Sequence, residues 1–402
     1  MALRKTPAGF ISAFYDPLRN PNAPTIGTAT AGESSASVAF TAPANVGGSA
    51  ISLYGARSTP ENITATAAAS PISVTGLTNG TAYTFAVWAI NSYGPSAFSA
   101  ASGSVTPNVY AYFGGGILGG FRTVNVQRVA FGTSGNAASF ASLTQARNYI
   151  AACSSATRGV WGGGRDDGSI NVNTIDYVTL ATGGGASYFG DLTSARIQPA
   201  GASNSTRGLF AGGSGSTSSI NYITIATTGN ATDFGGLTVG RYGAGGCASP
   251  TRAVFSGGGS AASADAGTNI IDYVTINTTG NATDFGDLIL ACTDVSACSN
   301  VTRGIIFGGR SNSTAFNTID YITIASTGNA TDFGDLTQKV SYCAAAASLV
   351  YAIRSGGAVN DSAATNVMDY ITIASTGNST DFGDMTNTLT QHAGCSNAHG
   401  GL

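Results

Sequence analysis

The stretch YITIATTGNATDFG, residues 222–235, decides the architecture because it returns along the chain. Three close copies follow it: YVTINTTGNATDFGD at 273–287, YITIASTGNATDFGD at 321–335 and YITIASTGNSTDFGD at 370–384. Two divergent copies precede it: YVTLATGGGASYFGD at 177–191 and VAFGTSGNAASFAS at 129–142. Self-similarity at a regular period is the signature of a repeat protein, so the repeat predicts the fold before any single residue does.

Each copy carries one phenylalanine that measures the period. The six are Phe140, Phe189, Phe234, Phe285, Phe333 and Phe382, with spacings of 49, 45, 51, 48 and 49 residues. A second anchor is an apolar run that ends in a double glycine, as in RGLFAGG at 207–213 and RAVFSGG at 252–258. Six such runs predict six units of four short strands, an all-β arrangement that is typical of propeller blades.

The order of these signals resembles a kelch repeat, with an apolar strand closed by Gly-Gly, a Tyr strand and then an aromatic-Gly turn. Phe stands where kelch repeats commonly have Trp. The resemblance implies a six-bladed kelch-like β-propeller over residues 108–402. Because CSNAHGGL at 395–402 aligns with CSSATRGV at 153–160, residues 390–397 are expected to complete the blade that residues 109–116 open. A ring closed by this C-terminal strand leaves no strand edge exposed.

The recurring turn TGNATDFGD has a structural explanation. Gly229 permits a positive φ, and Asn230 and Asp233 are predicted to bond nearby backbone N–H groups as Asx turns. Phe234 is predicted to fill the space between neighbouring blades. The turn is therefore expected to serve the scaffold.

Residues 24–107 are predicted to form a separate unit. The runs SASVAFTAP at 35–43 and ITATAAASPISVTGL at 63–77 alternate apolar and polar residues, and TAYTFAVWAIN at 81–91 is a longer strand. Turn signals fall every 8–12 residues, a spacing that favours a small antiparallel sandwich.

The stretch GLTNGTAYTFAVWAINSYGPSAFS, residues 76–99, resembles a fibronectin type III domain. The spacing of Leu77 and Tyr83 matches the tyrosine corner of that family, and Phe40 stands where the family usually has Trp. The resemblance implies a β-sandwich that acts as a spacer or an adhesive module. A rigid spacer is the favoured interpretation.

Composition excludes several classes of partner. Lys and Arg total 17 against 20 Asp and Glu, and a net charge of −3 gives no electrostatic reason to bind nucleic acid or an anionic membrane. Hydrophobic residues make up 43% of the chain, but no apolar run approaches the length of a membrane span. The N-terminus shows no signal peptide, so synthesis in the cytoplasm without membrane insertion is expected.

Residues 1–23 are punctuated by Pro and Asn and carry Phe10, Phe14 and Tyr15. Apolar side chains on an extended segment can insert into a partner or extend its sheet. We therefore expect a docking arm, with these three aromatics as the contact residues. A free terminus is the alternative.

No catalytic, cofactor-binding or metal-binding set emerges from the sequence. Four of the six cysteines share one repeat position with Ala202 and Ala346, which predicts small buried slots and free thiols. The only histidines, His392 and His399, are expected to be structural. The Asp pairs of the repeated turn offer carboxylates to calcium, but calcium prefers six or more oxygens, and turn capping is favoured. Arginines that precede the double-glycine strands are expected to bond between blades: Arg158, Arg207, Arg252 and Arg303.

Recognition is expected in the connections between the second and third strands of each blade, because unequal loops on a regular scaffold commonly carry function. By kelch topology these loops share one face. The candidate ligand residues in them are Arg165, Asp166, Asp167, Asp265, Arg310, Asn312, Asn360 and Asp361. A solvated loop tip is the alternative for Asp166 and Asp167.

The whole layout, a GFISAFYDPL leader, a fibronectin III-like domain and TGNATDFGDLT repeats, resembles virion structural proteins of tailed phages, especially marine phages and cyanophages. That resemblance implies a non-enzymatic appendage on the exposed virion surface: tail-fibre-like, neck or capsid-decorating. The arm would dock on other virion proteins, the particle would impose any oligomer, and the loops would meet a host surface glycan or receptor. A bacterial surface adhesin and a propeller enzyme that degrades glycans are the alternatives.

Overall fold

The computed structural model describes residues 18–32, 35–78, 81–107, 109–131, 134–215 and 217–402, and they form an all-β protein, as predicted. The one helix in this described part is the 3-10 turn Ala264–Ala266. The chain divides into two compact units, Met1–Asn108 and Val109–Leu402. The proposed docking residues Phe10, Phe14 and Tyr15 lie outside the described residues.

The first unit consists of two antiparallel sheets. One has three strands, in the order Thr25–Gly32, Ser35–Thr41 and Ile72–Thr75. The other has four, in the order Thr64–Ala67, Leu53–Thr59, Thr84–Asn91 and Gly94–Pro95. The alternating run at 63–77 is therefore divided between the two sheets. Pro71 falls at the division, where its ring removes a backbone donor from the ladder.

Side chains of both sheets meet in one core. Val38 of the first sheet and Phe85 of the second are almost fully buried in it. Tyr83 is also buried, and its hydroxyl accepts the Thr78 N–H at 3.0 Å and donates to Glu61 Oε2 at 2.5 Å. The bonds tie the loop before the long strand to the core. They satisfy a hydroxyl that would be costly to bury unpaired.

The second unit contains six antiparallel sheets, numbered 1 to 6 here, each with four main strands called first to fourth in their order of pairing. Sheet 1 consists of Ala393–Ser396, Tyr110–Gly114, Asn125–Ala130 and Ala138–Ser142. Sheet 2 consists of Ala151–Ser154, Arg158–Gly162, Thr174–Thr179 and Ser187–Asp191. Sheet 3 consists of Ala200–Ser203, Arg207–Ala211, Ser219–Thr224 and Thr232–Gly236.

The other three sheets repeat this pattern. Sheet 4 consists of Gly245–Ala248, Arg252–Ser256, Thr268–Thr275 and Thr283–Cys292. Sheet 5 consists of Ser296–Ser299, Arg303–Phe307, Thr318–Thr323 and Thr331–Asp335. Sheet 6 consists of Ala344–Ala347, Tyr351–Ser355, Val367–Thr372 and Thr380–Asp384.

Shorter strands join the loops beside these sheets. Gly184–Gly185 pairs in parallel with the fourth strand of sheet 1. The remaining pairings are Ile117–Leu118 with Phe121–Arg122, Arg147–Asn148 with Arg165–Asp166, Arg241–Tyr242 with Gly259–Ser260, Arg310–Ser311 with Thr314–Ala315, and Val340–Ser341 with Ala358–Val359, which also pairs with Ala363–Ala364.

The six first strands contact one another in a closed cycle. Each packs against the first strand of the next sheet, and that of sheet 1 packs against those of sheets 6 and 2. The expected pairing of the two ends of the unit is confirmed, because Ala393–Ser396 forms the first strand beside Tyr110–Gly114. Close approach explains the small residues here: a Cβ on Gly246 would collide with the carbonyl oxygen of Gly201 in the preceding sheet.

The repeated turn links each sheet to the one before it, and we call these links the rim turns. The Gly229 and Ala231 N–H groups donate to the carbonyls of Phe189 and Asp191 on the fourth strand of sheet 2, both at 2.8 Å. Asn230 Oδ1 accepts the Asp191 N–H at 3.1 Å, so the prediction of a local Asx turn was wrong. Asn136, Asn281, Asn329 and Asn378 make the same bond. The rim turns thus cover strand edges that would otherwise be open.

Asp233, also predicted to cap the turn, lies instead in the fourth strand of sheet 3 opposite Asn221. A hydrophobic cluster fills each space between neighbouring sheets. Phe234 belongs to the cluster between sheets 3 and 4, as expected.

The predicted bonds between sheets by the strand arginines are also confirmed. Arg158 Nη1 donates to the Ile225 and Ala226 carbonyls of sheet 3 at 2.9 and 2.8 Å, and its guanidinium lies 4.5 Å from the ring centroid of Tyr177.

A layer of buried polar pairs lies within the sheets. Arg147 pairs with Asp176 at 2.6 Å in sheet 2, and Arg241 pairs with Asp272 at 3.1 Å in sheet 4, with all four side chains inaccessible to solvent. In sheet 5, Cys292 stands at the position of Arg147 and Arg241, so Asp320 has no arginine opposite it. Burial raises the pKa of Asp320 to about 6, while the Ile289 N–H opposes that rise.

Candidate functional site

Six residues at one repeat position form a ring at one end of the cycle of first strands. They follow the six repeat phenylalanines by nine residues, and we call them the mouth positions: Tyr149, Gln198, Gly243, Asp294, Tyr342 and Gln391. All six have a left-handed backbone, with φ between 54° and 63°. Glycine adopts this conformation without strain, whereas other residues are disfavoured there. Five of the six nevertheless carry side chains.

Backbone hydrogen bonds run around the mouth positions from sheet to sheet. Gln198 N–H donates to the Tyr149 carbonyl at 2.8 Å, and Tyr149 N–H donates to the Gln391 carbonyl at 2.9 Å. Corresponding bonds continue from Gln391 to Tyr342 and from Tyr342 to Asp294. The remaining steps are Val295 N–H to the Gly243 carbonyl and Gly243 N–H to the Gln198 carbonyl. The left-handed geometry is therefore imposed by a closed cycle of bonds.

The mouth positions surround a cavity of about 110 Å³ that runs between the first strands. Its walls are small residues such as Ala151, Ala200 and Gly245. Polar side chains therefore concentrate at the mouth positions. The polar side chains at the opening are placed to contact a small molecule that enters the recess.

Side chains at the mouth contact one another across the ring. Gln198 Nε2 donates to Asp294 Oδ1 at 2.6 Å, reaching past Gly243, which has no side chain to intervene. The rings of Tyr149 and Tyr342 meet edge to face with centroids 5.9 Å apart. Gln391 Oε1 accepts Asn148 Nδ2 at 2.6 Å. The mouth thus presents two aromatic rings beside the amides of Gln198 and Gln391, with Asp294 and Asn148 buried against them.

Arg310 connects the mouth to the loops of sheets 4, 5 and 6. Its guanidinium pairs with Asp294 at 2.8 Å, Asp265 at 3.3 Å and Asp361 at 3.5 Å, and it lies 5.2 Å from the ring centroid of Tyr342. Burial raises the pKa of Asp294 to about 6, against the opposing effects of Arg310, Tyr342 and Gln198. Burial and the Asp294 charge also raise the pKa of Tyr342.

Three of the eight loop candidates come together in this cluster: Arg310, Asp265 and Asp361. Asn312 lies beside them, since its N–H donates to the Asp265 carbonyl at 2.8 Å. Asn360 is exposed, and its N–H bonds the Lys339 carbonyl. These five candidates therefore occupy neighbouring loops.

The other three candidates belong to the loop of sheet 2. Arg165 donates to Asn171 Oδ1 at 3.2 Å, and Asp166 accepts Gln145 Nε2 at 3.3 Å. Asp167 is exposed. Arg165 also influences the mouth, because its charge opposes the rise in the pKa of Tyr149 that burial causes.

A second, smaller recess between the first strands is lined differently. Its walls include Cys153, Cys247, Cys298 and Cys395, and all six cysteines are buried and free, as predicted. His399 also lines this recess, with Nε2 3.3 Å from Ser203 Oγ. Burial lowers the pKa of His399 to about 4 and that of His392 to about 3. Both imidazoles are therefore neutral near pH 7.

Among the described residues, no group of three or more His, Cys, Asp or Glu side chains is arranged to hold a metal ion. That part of the chain likewise contains no helix with the length and hydrophobicity needed to span a bilayer. No protein-family model matches the sequence, and no curated protein matches it.

The mouth positions were not predicted from the sequence, although the sequence contains a signal for them. Tyr149, Gln198, Asp294, Tyr342 and Gln391 share only their distance from a repeat phenylalanine, and their side chains differ. Residues that are identical between repeats belong to the scaffold. The signal for the site is the opposite one: a repeat position at which the side chains differ in chemistry from copy to copy.

Proposed function

We propose that residues 109–402 are a six-bladed kelch-like β-propeller and that the first unit is a fibronectin type III-like sandwich. The propeller is supported by the closed cycle of first strands, the rim turns and the pairing of Ala393–Ser396 with Tyr110–Gly114. The sandwich is supported by its three-stranded and four-stranded sheets and by the buried Tyr83 hydroxyl, which bonds Thr78 and Glu61.

On this scaffold we propose a non-enzymatic role as an appendage protein of a tailed-phage virion, displayed on the particle surface for attachment to a host surface glycan or receptor. The main support for this role is the mouth. Five of its side chains occupy left-handed backbone positions that glycine would adopt with less strain. Strained residues that cluster at one surface recess support a binding role. The resemblance of the repeats to phage virion proteins supports the location.

Quantitative mass spectrometry of purified particles tests the virion role. Particles produced in cells that express the gene should contain this chain at a fixed copy number relative to the major capsid protein, through successive density gradients. Antibody labelling of intact particles should place it on the surface. Loss of the chain during purification, or a copy number that varies between preparations, would contradict the proposal.

The docking arm is tested on the full chain. We expect Phe10→Ala/Phe14→Ala/Tyr15→Ala to abolish binding to particles that lack the protein, because the aromatic side chains are the proposed contacts. Phe98→Ala, at an exposed aromatic of the first unit, is the control and should bind like the wild type. Equal binding by the triple variant would place the docking surface elsewhere.

A further inference from the structure

The cavity beneath the mouth has the capacity of a small polar ligand. One water occupies about 10–15 Å³ on this measure, so a cavity of about 110 Å³ corresponds to roughly eight waters. Its small lining residues leave the space open, and the ring of backbone bonds holds the mouth positions in place.

The mouth combines two chemistries that a sugar ring requires. Tyr149 and Tyr342 are partly exposed and offer apolar ring surface with a polar tip. Gln198 and Gln391 are partly exposed and supply amides, each of which can donate and accept hydrogen bonds. Vicinal hydroxyls of a sugar also donate and accept hydrogen bonds, so these two amides match them.

Charge narrows the ligand class. Arg310, the cation that pairs with Asp294, also pairs with Asp265 and Asp361, so three carboxylates surround one guanidinium. On the Tyr149 side, Arg165 donates to Asn171 Oδ1 and Arg122 donates to Asn148 Oδ1. Asp166 and Asp167 follow Arg165 in the same loop and balance these two cations. A phosphate, sulfate or carboxylate ligand would meet a surplus of negative charge at the Arg310 side of the mouth, where like charges repel.

We propose that the mouth binds one uncharged pyranose unit of a surface saccharide, with the Tyr149 and Tyr342 rings against its apolar face and with Gln198 and Gln391 at its hydroxyls. This inference rests on the proposed binding role and names the ligand class of that site. Arg310 orients Asp294, and the loops of sheets 4, 5 and 6 surround the rest of the saccharide.

The test uses the purified full chain and immobilised polysaccharides. The neutral probes are dextran, mannan and galactan, and the anionic probe is dextran sulfate. We expect at least one neutral probe to bind and dextran sulfate to bind more weakly. Tyr342→Ala and Gln198→Ala should each raise the Kd for that probe by at least about tenfold, since each removes a desolvated contact at the centre of the site.

Tyr188→Ala is the matched control, because Tyr188 is an exposed tyrosine on the fourth strand of sheet 2. It should bind the probe like the wild type, and near-ultraviolet circular dichroism should show that all variants remain folded. Binding of dextran sulfate alone, binding of none of the neutral probes, or unchanged affinity in both mouth variants would overturn the inference. These results are separable from the virion role, because copy number on particles is measured without any saccharide.

Discussion

Every sheet contributes one rim turn and one mouth position, but the amino-acid sequence varies far more at the mouth than at the rim. At the rim, Gly-Asn recurs in five of the six repeats, and each Asn bonds the preceding sheet. At the mouth, the equivalent residues are Tyr, Gln, Gly, Asp, Tyr and Gln. The rim therefore repeats what the backbone requires, whereas the mouth places varied side chains where the backbone would favour glycine.

Residues that are identical between repeats are therefore the ones that the scaffold requires. Gly235 has φ +147°, and a Cβ there would collide with the carbonyl oxygen of Gly280 in the next sheet, so no other residue fits. Gln198 has φ 55° and projects into an open recess, so several residues fit at some cost in strain. Substitutions at the rim should therefore cost more stability than substitutions at the mouth.

The largest effect is expected at a rim glycine. Gly235→Ala should lower the free energy of unfolding of the second unit by about 2–4 kcal/mol, because strain and overpacking add at this site. Urea unfolding in a Trp88→Phe background, where fluorescence reports Trp161 alone, is the measurement. Gly119→Ala is the control, since Gly119 has φ +57° and open space around it. It should cost about 1 kcal/mol, the strain alone. Equal losses would refute the importance of close approach.

The second effect concerns Asp320 of sheet 5, a buried carboxylate with no arginine opposite it. Asp320 is buried opposite Cys292 with a pKa raised to about 6 from 3.8, so its ionisation penalises the folded state above pH 6 and not below 3.8. Asp320→Asn should therefore stabilise the second unit by about 2 kcal/mol above pH 7, and the gain should vanish as the pH falls to 4.

Asp272→Asn is the matched control for that variant, because Asp272 holds the same position in sheet 4 but pairs with the buried Arg241. Removing its charge should destabilise the protein at pH 7 by about 3 kcal/mol, since it leaves a buried cation unpaired. Urea unfolding between pH 4 and 8 measures both. If the two variants change stability in the same direction at pH 7, the missing arginine in sheet 5 has no consequence.

A smaller effect is expected at the rim asparagines. Asn281→Ala removes the acceptor of the Gly236 N–H, a bond of 3.0 Å on a partly exposed edge, and should cost about 1 kcal/mol. Asn281→Asp keeps an acceptor oxygen and should recover most of the loss. Urea unfolding at pH 7 compares the two. A loss that Asp fails to recover would mean that the amide acts through another contact.

The smallest effect is expected at the mouth. Gln198→Gly relieves a left-handed side chain but loses the bond to Asp294 and adds freedom to the unfolded chain, so stability should stay within about 0.5 kcal/mol of the wild type. The same unfolding experiment measures it. A loss of 2 kcal/mol or more would make the mouth part of the scaffold and remove the contrast with the rim.

Much of the fold was predictable because the repeat phenylalanines and double glycines follow from backbone geometry and packing, which act locally and identically in each copy. The bonds of Asn230 were misjudged, since its partner Asp191 is distant in sequence and only the neighbouring sheet brings it within reach. Arg310, Asp265 and Asp361 were identified as candidates singly. Their convergence depends on sheet-to-sheet contacts that no local pattern encodes.

The central claim is that the second unit closes on itself. Ile117 and Thr390 exchange two backbone hydrogen bonds, of 2.9 and 3.3 Å, although they are distant in sequence. Such a hydrogen-bonded antiparallel pair has Cα atoms about 5.5 Å apart, which suits a disulfide. We expect Ile117→Cys/Thr390→Cys to cross-link within the chain under mild oxidation. The native thiols are buried.

The control is Ile117→Cys/Thr293→Cys, because Thr293 holds the repeat position of Thr390 but bonds Arg310 in sheet 5. A faster-migrating species on a non-reducing gel, formed by the first pair and absent from the second, is the predicted result. Failure of the first pair to cross-link, or equal cross-linking of both, would contradict the closed ring on which the mouth and its proposed ligand depend.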